Sequence, residues 1–179
     1  MQMDAGMDTG PILLQKGLKI EPDDTYPTLS QKLVKTAILA LTEALEGYVL
    51  KNSIVPQAQD SAQATYTKIL TREDGKIDWS KSAQEIYNQY RALTPWPGIW
   101  TVLGEKRVKL LKIKPVTSHP SLITKHGTWN MKHEHIFVSC GKDSIEVLEL
   151  QIEGSKPMDA KQFINGYKNL IVNNKVISN

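Results

Sequence analysis

One cysteine, Cys140, stands in 179 residues, which excludes an internal disulfide and leaves no cysteine cluster to hold zinc. Set in the run Ile136-Phe137-Val138-Ser139-Cys140, it reads as a packed thiol. No apolar run approaches the roughly 20 residues a bilayer-spanning helix needs. The first residues carry Asp4 and Asp8 where a signal peptide would have a basic start and an apolar core, so no membrane partner and a cytoplasmic location are expected. Aromatic residues are sparse at 7%, and neither sign of charge dominates, with 22 Lys and Arg against 19 Asp and Glu. At 40% hydrophobic and 23% charged, the composition is that of a folded chain, long enough for two small domains with separate cores.

The modest net charge conceals a division. Residues 1–65 carry five Lys and Arg against eight Asp and Glu, whereas residues 66–179 carry seventeen against eleven. A basic second part suits a polyanionic partner, although a solvated basic face needs none.

Periodicity orders the chain. Leu13, Leu14, Leu18 and Ile20 suggest a strand, and Leu29, Leu33, Ala37, Leu41 and Leu45 then recur every four residues as a helical stripe. Thr28 with Gln31 gives that helix a start, Pro27 fixes its approach, and Gly47 marks its end. The stripe calls for a sheet to cover it. Residues 52–64 are small and polar without either period, as in a linker. Beyond them, Ser82 and Glu85 form a capping box for a helix with Ala83, Ile86, Tyr87, Tyr90 and Leu93 on one face. Strand patterns follow at Gly98–Leu103, Lys106–Val116, His135–Cys140 and Ser144–Gln151, and a last helix runs from about Asp159 to Lys168. Several short strands joined by turns suggest a small barrel.

The opening run, Met1-Gln2-Met3-Asp4-Ala5-Gly6-Met7-Asp8-Thr9-Gly10, carries a D-x-G-x-D-x-G pattern. Glycines at 6 and 10 permit tight turns and positive φ, so that a carboxylate between them can be aimed into a cleft. Alone, the run also reads as an Asp-Gly turn with solvated carboxylates. Three later runs add to it: Tyr66 to Ile69 leading to Lys76-Ile77-Asp78-Trp79; Arg91-Ala92-Leu93-Thr94-Pro95-Trp96-Pro97-Gly98; and Glu153 to Met158 leading to Phe163-Ile164-Asn165-Gly166. In this order they resemble the folate-dependent formyltransferase family, nearest to its tRNA-acting branch.

The resemblance implies an α/β end of a Rossmann-like formyltransferase domain over residues 1–51, a linker over 52–64, and a small open β-barrel of OB type with flanking helices over 65–179. It implies 10-formyltetrahydrofolate as donor and the amino group of initiator methionyl-tRNA as acceptor. Formyl transfer to an amine passes through a tetrahedral intermediate, which calls for oxyanion donors, a proton acceptor and fixed geometry. In the family an Asn and a His two apart and a later Asp share this work. Asp8 matches the Asp, with the role of orienting and supporting the charged histidine, and Asp4, Ala5 and Gly6 match the loop beside the pteridine ring. The sequence holds no Asn-x-His, since Asn130 and His133 are three apart. A chain that opens inside such a loop is expected to be a fragment, inactive alone, with an amino-terminal half as partner.

For tRNA, Lys68 beside the linker is favoured, followed by Lys106, Lys112 and Lys114. Strict alternation along the strand puts these last three on one side and Arg107 and Lys109 on the other, so that only a bulge could bring all five to one phosphate backbone. His133 and His135 could point two imidazoles one way, but no third ligand accompanies them and no metal is expected. Trp96, between two prolines, is expected to wedge into the core, with base stacking as the alternative. Two further readings stay open, a non-catalytic RNA-binding module and a fragment of a sugar-amine formyltransferase.

Overall fold

The computed structural model describes residues 1–117 and 125–172. The chain divides into two compact units, Met1–Ile69 and Leu70–Asn179. No helix among the described residues is long and apolar enough to cross a membrane.

In the first unit, helix α1 spans Tyr26–Ala44 and begins earlier than its apolar period suggests. Thr25 is its cap residue, and its backbone N–H donates to Thr28 Oγ1 at 2.9 Å. Behind it the Asp24 carboxylate accepts from Lys32 Nζ at 2.7 Å, from the Glu21 amide at 2.9 Å and from Thr28 Oγ1 at 3.1 Å. The hydrogen bond from Lys32 above all, and then that from Glu21, holds the Asp24 carboxyl below its ordinary range. Thr28 is thus part of the cap, three residues into the turn, and Gln31 has no share in the box. At the other end α1 passes into a π-helical turn, Leu45–Leu50. Gly47 lies inside that turn, where a Cβ would come 2.6 Å from Ile54 Cδ1, so close approach rather than helix termination fixes it.

No residue of α1 is buried. Val34, Ile38, Leu39 and Leu41 are 58–68% exposed, leaving the apolar stripe in water. The strand expected over Leu13 to Ile20 does not form. Ile12 makes one antiparallel bridge, with Gln57, and no ladder among the described residues extends it. A strand exists only through its neighbours, and an apolar run without them stays irregular.

The second unit is built on a six-stranded antiparallel sheet: β1 (Ile99–Leu103), β2 (Lys106–Val116), β3 (Trp129–Lys132), β4 (His135–Ser139), β5 (Ser144–Ile152) and β6 (Met158–Asp159). The order is β1-β2-β5-β4-β3, with β6 paired to β5. The sheet is open, since among the described residues no ladder joins β1 to β3. Helices α2 (Ala83–Leu93) and α3 (Ala160–Val172) pack on it. Ser82 Oγ accepts the Glu85 amide at 3.3 Å, and Glu85 Oε2 accepts the Ser82 amide at 2.9 Å, the reciprocal cap read from the sequence. The hydrogen bond from the Ser82 hydroxyl lowers the Glu85 carboxyl below its ordinary range.

Ile86, Val108, Leu110, Ile113, Leu150 and Phe163 lie in one core cluster. Phe163 is fully buried, with ring neighbours Tyr167 at 5.8 Å and Trp129 at 6.2 Å. Burial of such a side chain contributes roughly 3 kcal/mol. Trp79 is half-buried and donates to Thr101 Oγ1 at 3.0 Å. Trp96 departs from its expected place. The turn completed by Gly98, at φ 73°, buries Pro97 and Gly98 and leaves the indole 58% exposed.

Strand β2 also departs from strict alternation. Leu110 pairs with Leu150 and Lys112 with Glu149, so Leu111 has no partner; Ile113 then pairs with Val147, so Leu148 has none. Two bulges, one on each strand, reverse the alternation while keeping the ladder. The Tyr90 hydroxyl, from α2, donates to the Leu111 carbonyl at 3.2 Å and satisfies the group the bulge leaves over.

Candidate functional site

The opening loop is held by its own short side chains. Asp4 Oδ1 accepts the Gly6 amide at 3.0 Å and the Thr9 hydroxyl at 2.7 Å. Both bonds fall on one oxygen of the exposed Asp4 carboxylate. Gln2 N donates to the Pro11 carbonyl at 2.9 Å, drawing the ends of the loop together. Gln59 clamps it from the linker segment, its amide donating to the carbonyls of Asp8 at 2.9 Å and Gly10 at 2.7 Å.

The glycines act through space rather than through φ. A Cβ on Gly10 would lie 1.7 Å from the Gln2 carbonyl oxygen, and one on Gly6 would lie 2.2 Å from Thr9 Oγ1. The positive φ belongs to Asp8, at 57°, a conformation a non-glycine residue adopts at some cost. Asp8 and Asp4 are both exposed. Met1, Met3, Asp4, Gly6, Met7, Asp8 and Gly10 line a shallow cleft of about 230 Å³. Sites that enclose a drug-sized ligand measure roughly 300–1,000 Å³, so this cleft is smaller than such a site.

The cations expected to meet RNA divide between the units. Lys68 lies in the first unit, and Lys106, Lys112 and Lys114 lie on β2 in the second. The expectation that Lys106 shares a face with Lys112 and Lys114 fails because of the bulge. Val108, Leu110 and Ile113 all enter the core, so inward positions change from even to odd between 110 and 113. Arg107 and Lys109 before the bulge therefore project to the same outer face as Lys112 and Lys114 after it. Lys106 alternates to the other side at the strand end.

On that outer face the Arg107 guanidinium lies 3.9 Å from the centroid of the Trp100 ring and 3.7 Å from Glu73. Lys109 lies across Gly98, where a Cβ would meet its Cε at 2.3 Å, and Nζ reaches the Pro95 carbonyl at 3.4 Å. Glu149 stands opposite Lys112 and Glu146 opposite Lys114. The Glu146 carboxylate is taken by His135 Nδ1 at 2.7 Å. His135 thus serves a cross-strand pair, and Glu134 pairs with Lys161 at 2.7 Å. Cys140 is buried, and burial pushes its thiol up to about 12.

Sequence reasoning missed Gln59, which lies in a segment without periodicity, and it missed the Tyr90 bond. The bulge had a signal: the apolar positions Val108 and Leu110 give way to Ile113, a change of parity inside one strand.

A family described as the formyl transferase C-terminal domain matches residues 69–168. The chain is similar to the methionyl-tRNA formyltransferase of Acidobacterium capsulatum, at 38% identity over 171 residues that cover 93% of this chain and 53% of that protein. It is similar also to that of Caldicellulosiruptor saccharolyticus, at 39% identity over 169 residues, covering 94% and 53%. The chain spans about half the length of the curated relatives it matches. Among solved structures, HypX from Aquifex aeolicus in complex with tetrahydrofolic acid matches with a TM-score of 0.63 and 14% identity, over 90% of this chain and 28% of that one. An N-formyltransferase from Helicobacter canadensis, in complex with folinic acid and dTDP-3-aminofucose, matches at 0.60 and 19%, over 81% and 52%. At these identities the likeness is one of fold.

Proposed function

This chain belongs to the formyl transferase family, and from that premise we propose that it is the carboxy-terminal portion of a methionyl-tRNA formyltransferase. Such an enzyme moves a formyl group from 10-formyltetrahydrofolate to the amino group of methionine on initiator tRNA, in the cytoplasm. The similarity to methionyl-tRNA formyltransferases at 38–39% identity over at least 93% of this chain carries the reading. In it, residues 1–51 close the formyl-transfer domain, 52–64 link, and 65–179 form the tRNA-contacting domain, its open sheet being of the OB type.

The opening loop fits part of the folate site. Oδ2 of Asp4 and the backbone of Ala5 and Gly6 offer acceptors and a donor to the hydrogen-bonding edge of a pteridine, and all three flank or line the cleft at the loop. The donor contributes the formyl carbon. Asp8 is the catalytic carboxylate of this reading: exposed and fixed at positive φ, it is placed to orient a histidine and to stabilise its charged form. That histidine and the oxyanion-binding Asn come from an amino-terminal half. Without them the chain is inactive, because such groups act as a unit.

Mixing the chain with the amino-terminal half of the Acidobacterium capsulatum enzyme tests this. Restored formylation of methionyl-tRNA supports the reading. RNA binding without formylation would favour a non-catalytic RNA-binding module, and preference for a nucleotide-linked sugar over tRNA would favour a sugar-amine formyltransferase.

A further inference from the structure

The paired bulges of β2 and β5 have a consequence for charge. A regular strand of this sequence would split its cations between two faces; here Arg107, Lys109, Lys112 and Lys114 share one, with Val108, Leu110 and Ile113 turned to the core beneath them. At about 3.3 Å per residue the row extends over roughly 23 Å. Arg107 is pinned between Trp100 and Glu73, which fixes one end. Lys109 is seated over Gly98, a position a Cβ there would close. Lys112 and Lys114 form no ion pair among the described residues, and the carboxylate across from Lys114 is engaged by His135. Tyr90 holds the bulge from behind, so the register that aligns the row is anchored in the core.

We propose that this outer face of β2 is the surface that meets the phosphate backbone of RNA, with Lys109, Lys112 and Lys114 as the contacting cations and Arg107 as the positioning residue at its end. Lys106 takes no part. The inference rests on the reading of the second unit as tRNA-contacting. Lysines present point charges without the planar fork that reads a base edge, so the contact is independent of sequence. A linear row of them follows a strand of phosphates, and each neutralised phosphate adds about 0.7–0.9 to the slope of log affinity against log salt.

The test is filter binding of the full 179-residue chain to tRNA over a series of salt concentrations, with circular dichroism to verify folding. The triple variant K109Q/K112Q/K114Q is expected to lower the magnitude of the slope by about two to three and to weaken binding at low salt at least about thirtyfold. Lys106→Gln is expected to match the parent. Acetylation footprinting gives a second readout: bound tRNA should protect Lys109, Lys112 and Lys114 and leave Lys106 reactive. A triple variant that keeps the parental slope, protection of Lys106 instead of the row, or a parent chain that binds no tRNA would each overturn the proposal. Row-dependent binding that persists while formylation fails with the amino-terminal half supplied would instead keep the row and discard the formyltransferase reading.

Discussion

Gln59 holds Asp8 across 51 residues, its side-chain amide donating to the Asp8 carbonyl at 2.9 Å. The same amide reaches the Gly10 carbonyl, so one side chain braces the backbone at Asp8 and two residues beyond it. Gln59→Ala is expected to free the loop without unfolding the rest. Hydrogen exchange should show faster exchange over residues 2–12 and unchanged protection in β2 and β5. Unchanged exchange in the loop would mean that Asp4 and Gln2 suffice to hold it.

Asp8→Asn separates charge from backbone. Asparagine tolerates the left-handed region that Asp8 occupies, so the substitution removes the carboxylate and keeps the loop. In the reconstituted enzyme, turnover should fall at least about a hundredfold with KM for tRNA little changed. Equal turnover would remove Asp8 from the chemistry.

Tyr90→Phe removes the bond to the Leu111 carbonyl and leaves that oxygen without its partner from α2. Burial already raises the Tyr90 hydroxyl above its ordinary range, so it stays a donor at neutral pH. The expected loss is about 1 kcal/mol, rising to about 3 if no water replaces the hydroxyl. Urea denaturation measures it, and a midpoint equal to the parent's would show that the bulge stands on strand pairing alone.

The Cys140 thiol gives a pH dependence of definite sign. Its folded value, about 12, exceeds that of an unfolded chain, about 8.5, because burial disfavours the thiolate. The stability it contributes is full below about 8.5 and is lost as pH rises through 12. Cys140→Ser should flatten the loss of stability between pH 9 and 11 seen in thermal melts. At pH 8 a thiol reagent should label the native protein slowly and the urea-unfolded protein at once; rapid native labelling would contradict the burial.

Limited proteolysis should cut first within residues 1–69 and leave a resistant piece that begins between about 60 and 70. The second unit has the fully buried core, whereas α1 buries no residue. A resistant piece centred on α1 would reverse that order of stability.

The sequence made the second unit legible wherever a local signal coincided with tertiary burial. Ser82 and Glu85 located α2, and β2 was bounded to the residue, because caps and alternation are written in adjacent positions. Strands β3 and β6, of four and two residues, were missed because segments so short carry no period. Leu13 to Ile20 read as a strand because an apolar run states what a segment could pair with, not whether a partner is present. At the loop, the motif named the right glycines for the wrong reason: contacts at Gln2 and Thr9 fix them, and the positive φ falls on Asp8. Gln59 could not be found, since its role depends on a partner about fifty residues away. Trp96 was misplaced because the turn at Gly98, invisible in composition, decides which of its neighbours is buried.

The wet stripe along α1 also has a calorimetric signature. The heat-capacity change of unfolding measures apolar surface newly given to water, about 12–15 cal/mol/K per residue in an ordinary domain. Val34, Ile38, Leu39 and Leu41 have given most of theirs already, so melting α1 adds little to it. The first unit therefore has a shallow stability curve, governed by helix enthalpy and insensitive to cold, whereas the second has the steep dome of a packed core.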